Sequence, residues 1–124
     1  MMIHRRSVAA AVAALAFLPR PVLAHHGWGW ASDEEMTLEG VIRGVRLGNP
    51  HGELQVEDAS GALWIAELGQ PWRHARAGLP EAELVPGVAV VIEGHRAADP
   101  ADLRIKAERI VLAGMRYNLY PDRS

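Results

Sequence analysis

Two adjacent histidines, His25 and His26, stand directly after Val22-Leu23-Ala24, and another follows a turn signal at Asn49-Pro50-His51. Imidazole and amine nitrogens in a near-planar set favour Cu²⁺ over most competing divalent ions. If processing ends at Ala24, the chain begins on His25, whose α-amine and Nδ1 chelate one Cu²⁺. A further imidazole then completes the T-shaped arrangement called a histidine brace. His51 is the preferred third nitrogen, because Pro50 fixes φ and the neighbouring glycines allow a tight turn that holds the ring on a short loop. His26 and His95 are the alternatives; an adjacent residue bends less easily into the same plane, and His95 lies beside a different loop. Plainer roles compete with each ligand role. The His25-His26 pair reads equally as a solvated tail, His51 as a turn cap bonded to a nearby carbonyl, and His74, between Arg73 and Arg76, as a solvent-facing helix residue.

The first 24 residues have the layout of an export signal. His4-Arg5-Arg6 supplies the positive start, Val8–Leu18 is an apolar run of 11 residues, and Val22-Leu23-Ala24 suits a signal peptidase. The run is too short for a spanning helix, which needs about 20 apolar residues. We therefore expect residues 1–24 to be a cleaved signal peptide, with no transmembrane segment after processing and a periplasmic or secreted product. The Arg5-Arg6 pair also permits the twin-arginine route beside the general secretory one. An uncleaved amphipathic helix is the competing reading.

Loss of Arg5, Arg6 and Arg20 takes the formal charge from −2 to −5 and leaves 100 residues, enough for one domain. An acidic surface with no basic stripe argues against nucleic acid as a partner. Cysteine is absent, so disulfides and thiolate metal sites are excluded and packing alone must hold the core.

The elements that would position these histidines are mostly strands. Residues 25–36 form a polar and aromatic lead without a strong period. Thr37–Leu47 is rich in β-branched and aliphatic residues and predicts a long strand; its interior glycines, Gly40 and Gly44, signal a bulge or sharp coil. Leu54 and Val56 alternate with polar neighbours, and 62–68 is a nearly continuous apolar strand after the Asp58–Gly61 break. Pro71 opens a helical stretch carrying Trp72, Ala75 and Leu79, and a second short helical piece at 81–84 follows. Val88, Val90 and Ile92 predict a fourth strand ending at Gly94-His95. Leu103–Leu112 predicts a fifth, whose alternation shifts face near Arg109 as a bulge would cause. Residues 115–124 either add a short edge strand or fray.

This order predicts a mainly β fold: a small OB-like, five-stranded, partly open barrel over residues 37–124, with one helix between strands 3 and 4. A plain antiparallel sheet packed on one helix is the alternative. Trp64 and Trp72 are expected in the core, and Trp28 and Trp30 are expected to fold back over the barrel. No enzyme constellation emerges: Ser60 has no evident histidine partner, and the carboxylates read as solvated charges on alternating strand faces.

The segments His25-His26-Gly27-Trp28, Gly40-Val41-Ile42, Gly48-Asn49-Pro50-His51, Pro86-Gly87 and Gly94 resemble the domain of unknown function 6152 family of short exported bacterial proteins. The resemblance covers the whole region after residue 24. Leu47 departs from it, standing where an aromatic is expected. It implies export and one small β-rich domain, and no established activity. Two functions stay open on the residues: a periplasmic binding protein that holds or delivers Cu²⁺, and a metal-free module. The latter would use Asn49, Pro50, Trp28, Trp30 and the 96–102 loop to bind a peptide, glycan or envelope protein. A copper oxygenase would need a shaped substrate surface that the sequence does not identify.

Overall fold

The computed structural model describes residues 28–123. Its strands are β1 (Ala31–Arg46), β2 (Glu53–Glu57), β3 (Leu63–Glu67), β4 (Ala89–Ala97), β5 (Arg104–Leu112) and β6 (Met115–Asn118). Helix α1 (Pro71–Ala77) and a 3₁₀ turn (Glu81–Glu83) lie between β3 and β4, and a second 3₁₀ turn (Pro121–Arg123) follows β6.

The long first strand serves both halves of the fold. Its leading half pairs with β4, its trailing half with β2, and Val41 is the hand-over residue, opposite Ala89 on one side and Glu57 on the other. Gly40 permits this, since a Cβ there would overlap the Glu57 carbonyl. The sequence signal at Gly44 corresponds to a register shift between Ile42 and Gly44. Continuing around, β2 pairs with β3, β3 with β5, and β5 with β4, which closes a five-strand ring. The closing β3–β5 contact is parallel and only three residue pairs long, so the barrel is partly open, as expected. β6 extends the sheet outside the ring as a partner of β5.

Ile42, Leu54, Val56, Ile92, Ile105 and Ile110 are fully buried inside the ring, and Leu68, Leu79 and Leu84 join them from the helical connection. Each such aliphatic contributes about 2 kcal/mol by leaving water.

Four details correct the sequence reading. β1 begins at Ala31 rather than Thr37: the polar stretch Ser32–Glu35 is carried into the sheet by pairing with β4, which needs no apolar side chains. Trp72 is 51% exposed instead of in the core, its ring covered by the guanidinium groups of Arg73 and Arg76 at 4.4 and 5.0 Å. His74 is buried rather than solvent-facing. Its Nε2 accepts the Gly69 N–H at 3.1 Å, so its proton lies on Nδ1, which donates to Glu81 at 2.7 Å. Finally, Glu67 and Glu108 are buried carboxylates, not solvated ones.

The β2–β3 turn is built on Asp58. One carboxylate oxygen accepts from the Ser60 N–H and hydroxyl and from the Ala62 N–H, and the other accepts from the Trp64 indole at 3.0 Å. The Ser60 and Trp64 hydrogen bonds hold this carboxyl below its usual range. A carboxyl depressed in the folded state contributes stability that is present above its unfolded pKa and fades as pH falls through the folded value. Asp58→Asn should therefore melt below the parent at neutral pH, and the two melting curves should converge as pH falls below the ordinary carboxylate range. A gap that persists unchanged at pH 2 would refute this role.

Candidate functional site

Trp28 sits among four polar and aromatic side chains. Its indole meets His95 edge-on at 5.9 Å and Tyr120 at 5.2 Å, and the Arg123 guanidinium lies 3.8 Å over the ring. On one side of it opens a cleft of about 380 Å³ whose lining includes Pro50, His51, Glu67, Arg73, Lys106 and Tyr120. His51 follows the cis Asn49-Pro50 bond. Its Nδ1 sits 3.4 Å from the Gly52 carbonyl oxygen and its Nε2 is 3.7 Å from Glu67.

Behind His51 lies a buried ion pair. Glu67 and Lys106 are direct register partners across the parallel β3–β5 closure. Lys106 Nζ donates to Glu67 Oε1 and to the Leu68 carbonyl, both at 2.9 Å, and stands 5.3 Å from each of the Trp28 and Tyr120 rings. The ammonium thus has anionic, carbonyl and aromatic neighbours that replace water.

On the other side of Trp28, three adjacent strands bring Glu35, His95 and Glu108 together. Glu35 and His95 are cross-strand partners on β1 and β4. Glu108 arrives through a bulge in β5: Glu93 pairs with Arg109 but Gly94 pairs with Ala107, so Glu108 is the extra residue. That bulge breaks the in–out alternation and leaves Ile105–Glu108 as a run of buried residues. His95 Nδ1 donates to the Ser32 carbonyl at 2.8 Å, and Nε2 faces Glu35 at 3.0 Å and Glu108 at 3.6 Å. Burial pushes the Glu108 carboxyl above its usual range, helped by the Glu35 charge and opposed by His95, Arg109 and Arg123.

Of the residues singled out by sequence, Trp28, Pro50 and His51 share the cleft, and His95 packs on the far edge of Trp28. Asn49 is exposed and outside the lining, and Trp30 lies apart beneath Arg104, 4.0 Å from its guanidinium. His25 and His26 lie outside the described residues. Sequence reasoning passed over Glu35, Glu67, Lys106, Glu108 and Tyr120. The alternation fault near Arg109 marked the bulge, but not which side chain it turned inward.

A model described as "Family of unknown function (DUF6152)" matches residues 11–103. The chain belongs to this family. No curated protein matches the sequence. Among solved structures, the chain is similar to one in the crystal structure of the S. pombe Stn1-ten1 complex, with a TM-score of 0.52 at 15% identity over 63% of this chain. The match spans 57% of that chain's length. It is also similar to a chain in the structure of the OBody AM1L10 bound to hen egg-white lysozyme, with a TM-score of 0.52 at 22% identity, covering 65% of this chain and 79% of that one. At these identities the likeness shows the fold alone, an OB-like one. Among the described residues no helix is long and apolar enough to cross a membrane.

Proposed function

We propose that this member of the DUF6152 family is an exported, periplasmic or secreted binding protein that holds Cu²⁺ through the α-amine and imidazole of His25, with His51 as third nitrogen. The observation that carries the reading is that Trp28 and His51 line one cleft. In the sequence His25 precedes Trp28 by three residues, a length of chain that spans at most about 10 Å. The His51 side chain is 30% exposed, and its Nε2 lies 3.7 Å from Glu67, another residue of the cleft lining. A mixed amine and imidazole set is the donor chemistry that ranks Cu²⁺ above Zn²⁺ and the earlier divalent ions.

Mass spectrometry of the exported protein should find His25 at its start, and Cu²⁺ titration should give one-to-one binding. A methionine added before His25 should abolish that binding, and His51→Ala should weaken it at least about tenfold. Unchanged affinity with the added methionine would end the copper reading. The wall formed by Trp28, Tyr120 and Arg73, whose guanidinium lies 4.0 Å over the Tyr120 ring, supports the second reading, a metal-free module for a peptide, glycan or envelope protein. That reading requires a partner captured from envelope extract in the presence of chelator and lost on Arg73→Ala.

A further inference from the structure

We infer that Glu35, His95 and Glu108 form a separate site for a divalent first-row cation, with Zn²⁺ as the best-fitting probe. This site does not rest on the copper reading, and it shares no residue with the His25 and His51 set.

Among the described residues, these three side chains each offer a ligand atom, all within 4.8 Å of one another. A tetrahedral Zn²⁺ with nitrogen and oxygen bonds near 2.0–2.1 Å sets its ligand atoms about 3.3 Å apart. His95 Nε2 lies 3.0 Å from Glu35 Oε1 and 3.6 Å from Glu108 Oε1, on either side of that spacing. The ring is already oriented as in metal sites. A carbonyl only accepts, so the 2.8 Å contact to Ser32 fixes a proton on Nδ1 and turns Nε2 toward the two carboxylates.

The independent observation is Glu108. Its residue is 0% exposed, and among the described residues neither carboxylate oxygen has a hydrogen-bond partner. Leaving such a group unsatisfied is costly. A single proton between Nε2 and Glu35 joins those two and leaves Glu108 as it is; a metal ion reaches all three. The neighbouring cations reach Glu108 at ion-pair distance without hydrogen-bonding it. Arg109 spends its Nε on Glu93 at 3.0 Å, and its Nη2 stays 3.6 Å from Glu108 and 3.8 Å from Glu35. Arg123 stays 3.5 Å from the other Glu108 oxygen while stacked on Trp28. Both arginines oppose a bound cation electrostatically, which fixes the sign of one test below.

The three ligands sit on neighbouring strands of one sheet, a rigid scaffold that the β5 bulge completes. Glu35 is exposed, so the fourth position opens to solvent, as in zinc sites that keep a water.

The test is calorimetric titration of Zn²⁺ alone into the full 124-residue chain. In that chain the His25 amine is locked in a peptide bond, so copper-brace chemistry cannot contribute. One zinc should bind per chain. Glu35→Gln, a surface change that leaves the core intact, and Glu108→Gln should each weaken binding at least about tenfold. Arg123→Gln should tighten it, an effect that a merely structural ion-pair cluster would not produce, and His51→Ala should leave it unchanged. No binding, binding insensitive to Glu35→Gln, or binding lost in His51→Ala would each overturn the assignment.

Discussion

Gly94→Ala should destabilise the domain by about 3 kcal/mol, lowering the melting temperature by roughly 12–24 °C. Gly94 sits opposite the β5 bulge, and a Cβ there would overlap the Lys106 carbonyl. The obstacle is backbone, so relief requires β5 to move away from β4. That movement would pull Lys106 off Glu67 and Glu108 out of its pocket. Gly94 is not among the positive-φ glycines, so the cost arises from contact and not from dihedral strain. Gly44→Ala is the matched comparison. The atoms nearest its new methyl belong to the Gln55 side chain, which is exposed and can swing aside, so the loss should stay within about 1 kcal/mol. Urea denaturation of both variants checks the contrast. Equal losses would mean that the bulge yields and does not fix the site.

The same bulge explains what could be read from the sequence and what could not. Alternation in Leu54–Val56 and Val90–Ile92, and turn residues such as Gly61 and Gly87, were local signals, and the ring of strands followed from them. Even the fault near Arg109 was visible. Its consequence was hidden because a one-residue slip exchanges inward for outward side chains. A glutamate in alternating context reads as solvated, yet Glu108 is turned inward. His74 departs from the expected solvent-facing position for a related reason: its arginine neighbours Arg73 and Arg76 reach the Leu119 carbonyl, while the ring between them turns in to Gly69. Trp72 went the other way because two guanidinium faces, and not the core, cover its ring. The meeting of Glu67 with Lys106, and of Glu35 with His95 and Glu108, joins residues far apart in sequence. Composition and spacing carry no record of such pairs. Only the parallel closure of β3 on β5 and the register of β1 on β4 create them.

Lys106→Met should cost about 3–5 kcal/mol, because it removes one half of a buried ion pair and strands the other. Lys106 is 3% exposed and Glu67 8%. Without the ammonium, the Glu67 carboxylate keeps, among the described residues, His51 at 3.7 Å, and the Leu68 carbonyl loses its 2.9 Å side-chain donor. Glu67→Gln should cost less, about 1 kcal/mol, since an amide oxygen can still accept from Nζ. The Leu68 carbonyl and the two aromatic faces of Trp28 and Tyr120 also stay with the cation. Replacing both partners, Lys106→Met with Glu67→Leu, removes both charges together and should recover most of the loss, as apolar substitutes for buried pairs often do. The double-mutant cycle should therefore be strongly non-additive. Additive losses would mean that the pair is separately solvated through the cleft. Recovery of stability together with loss of ligand binding at His51 would identify the pair as a device for shaping the cleft: it holds Trp28 and Tyr120 against a fixed positive charge, where two apolar side chains would let the aromatic wall close.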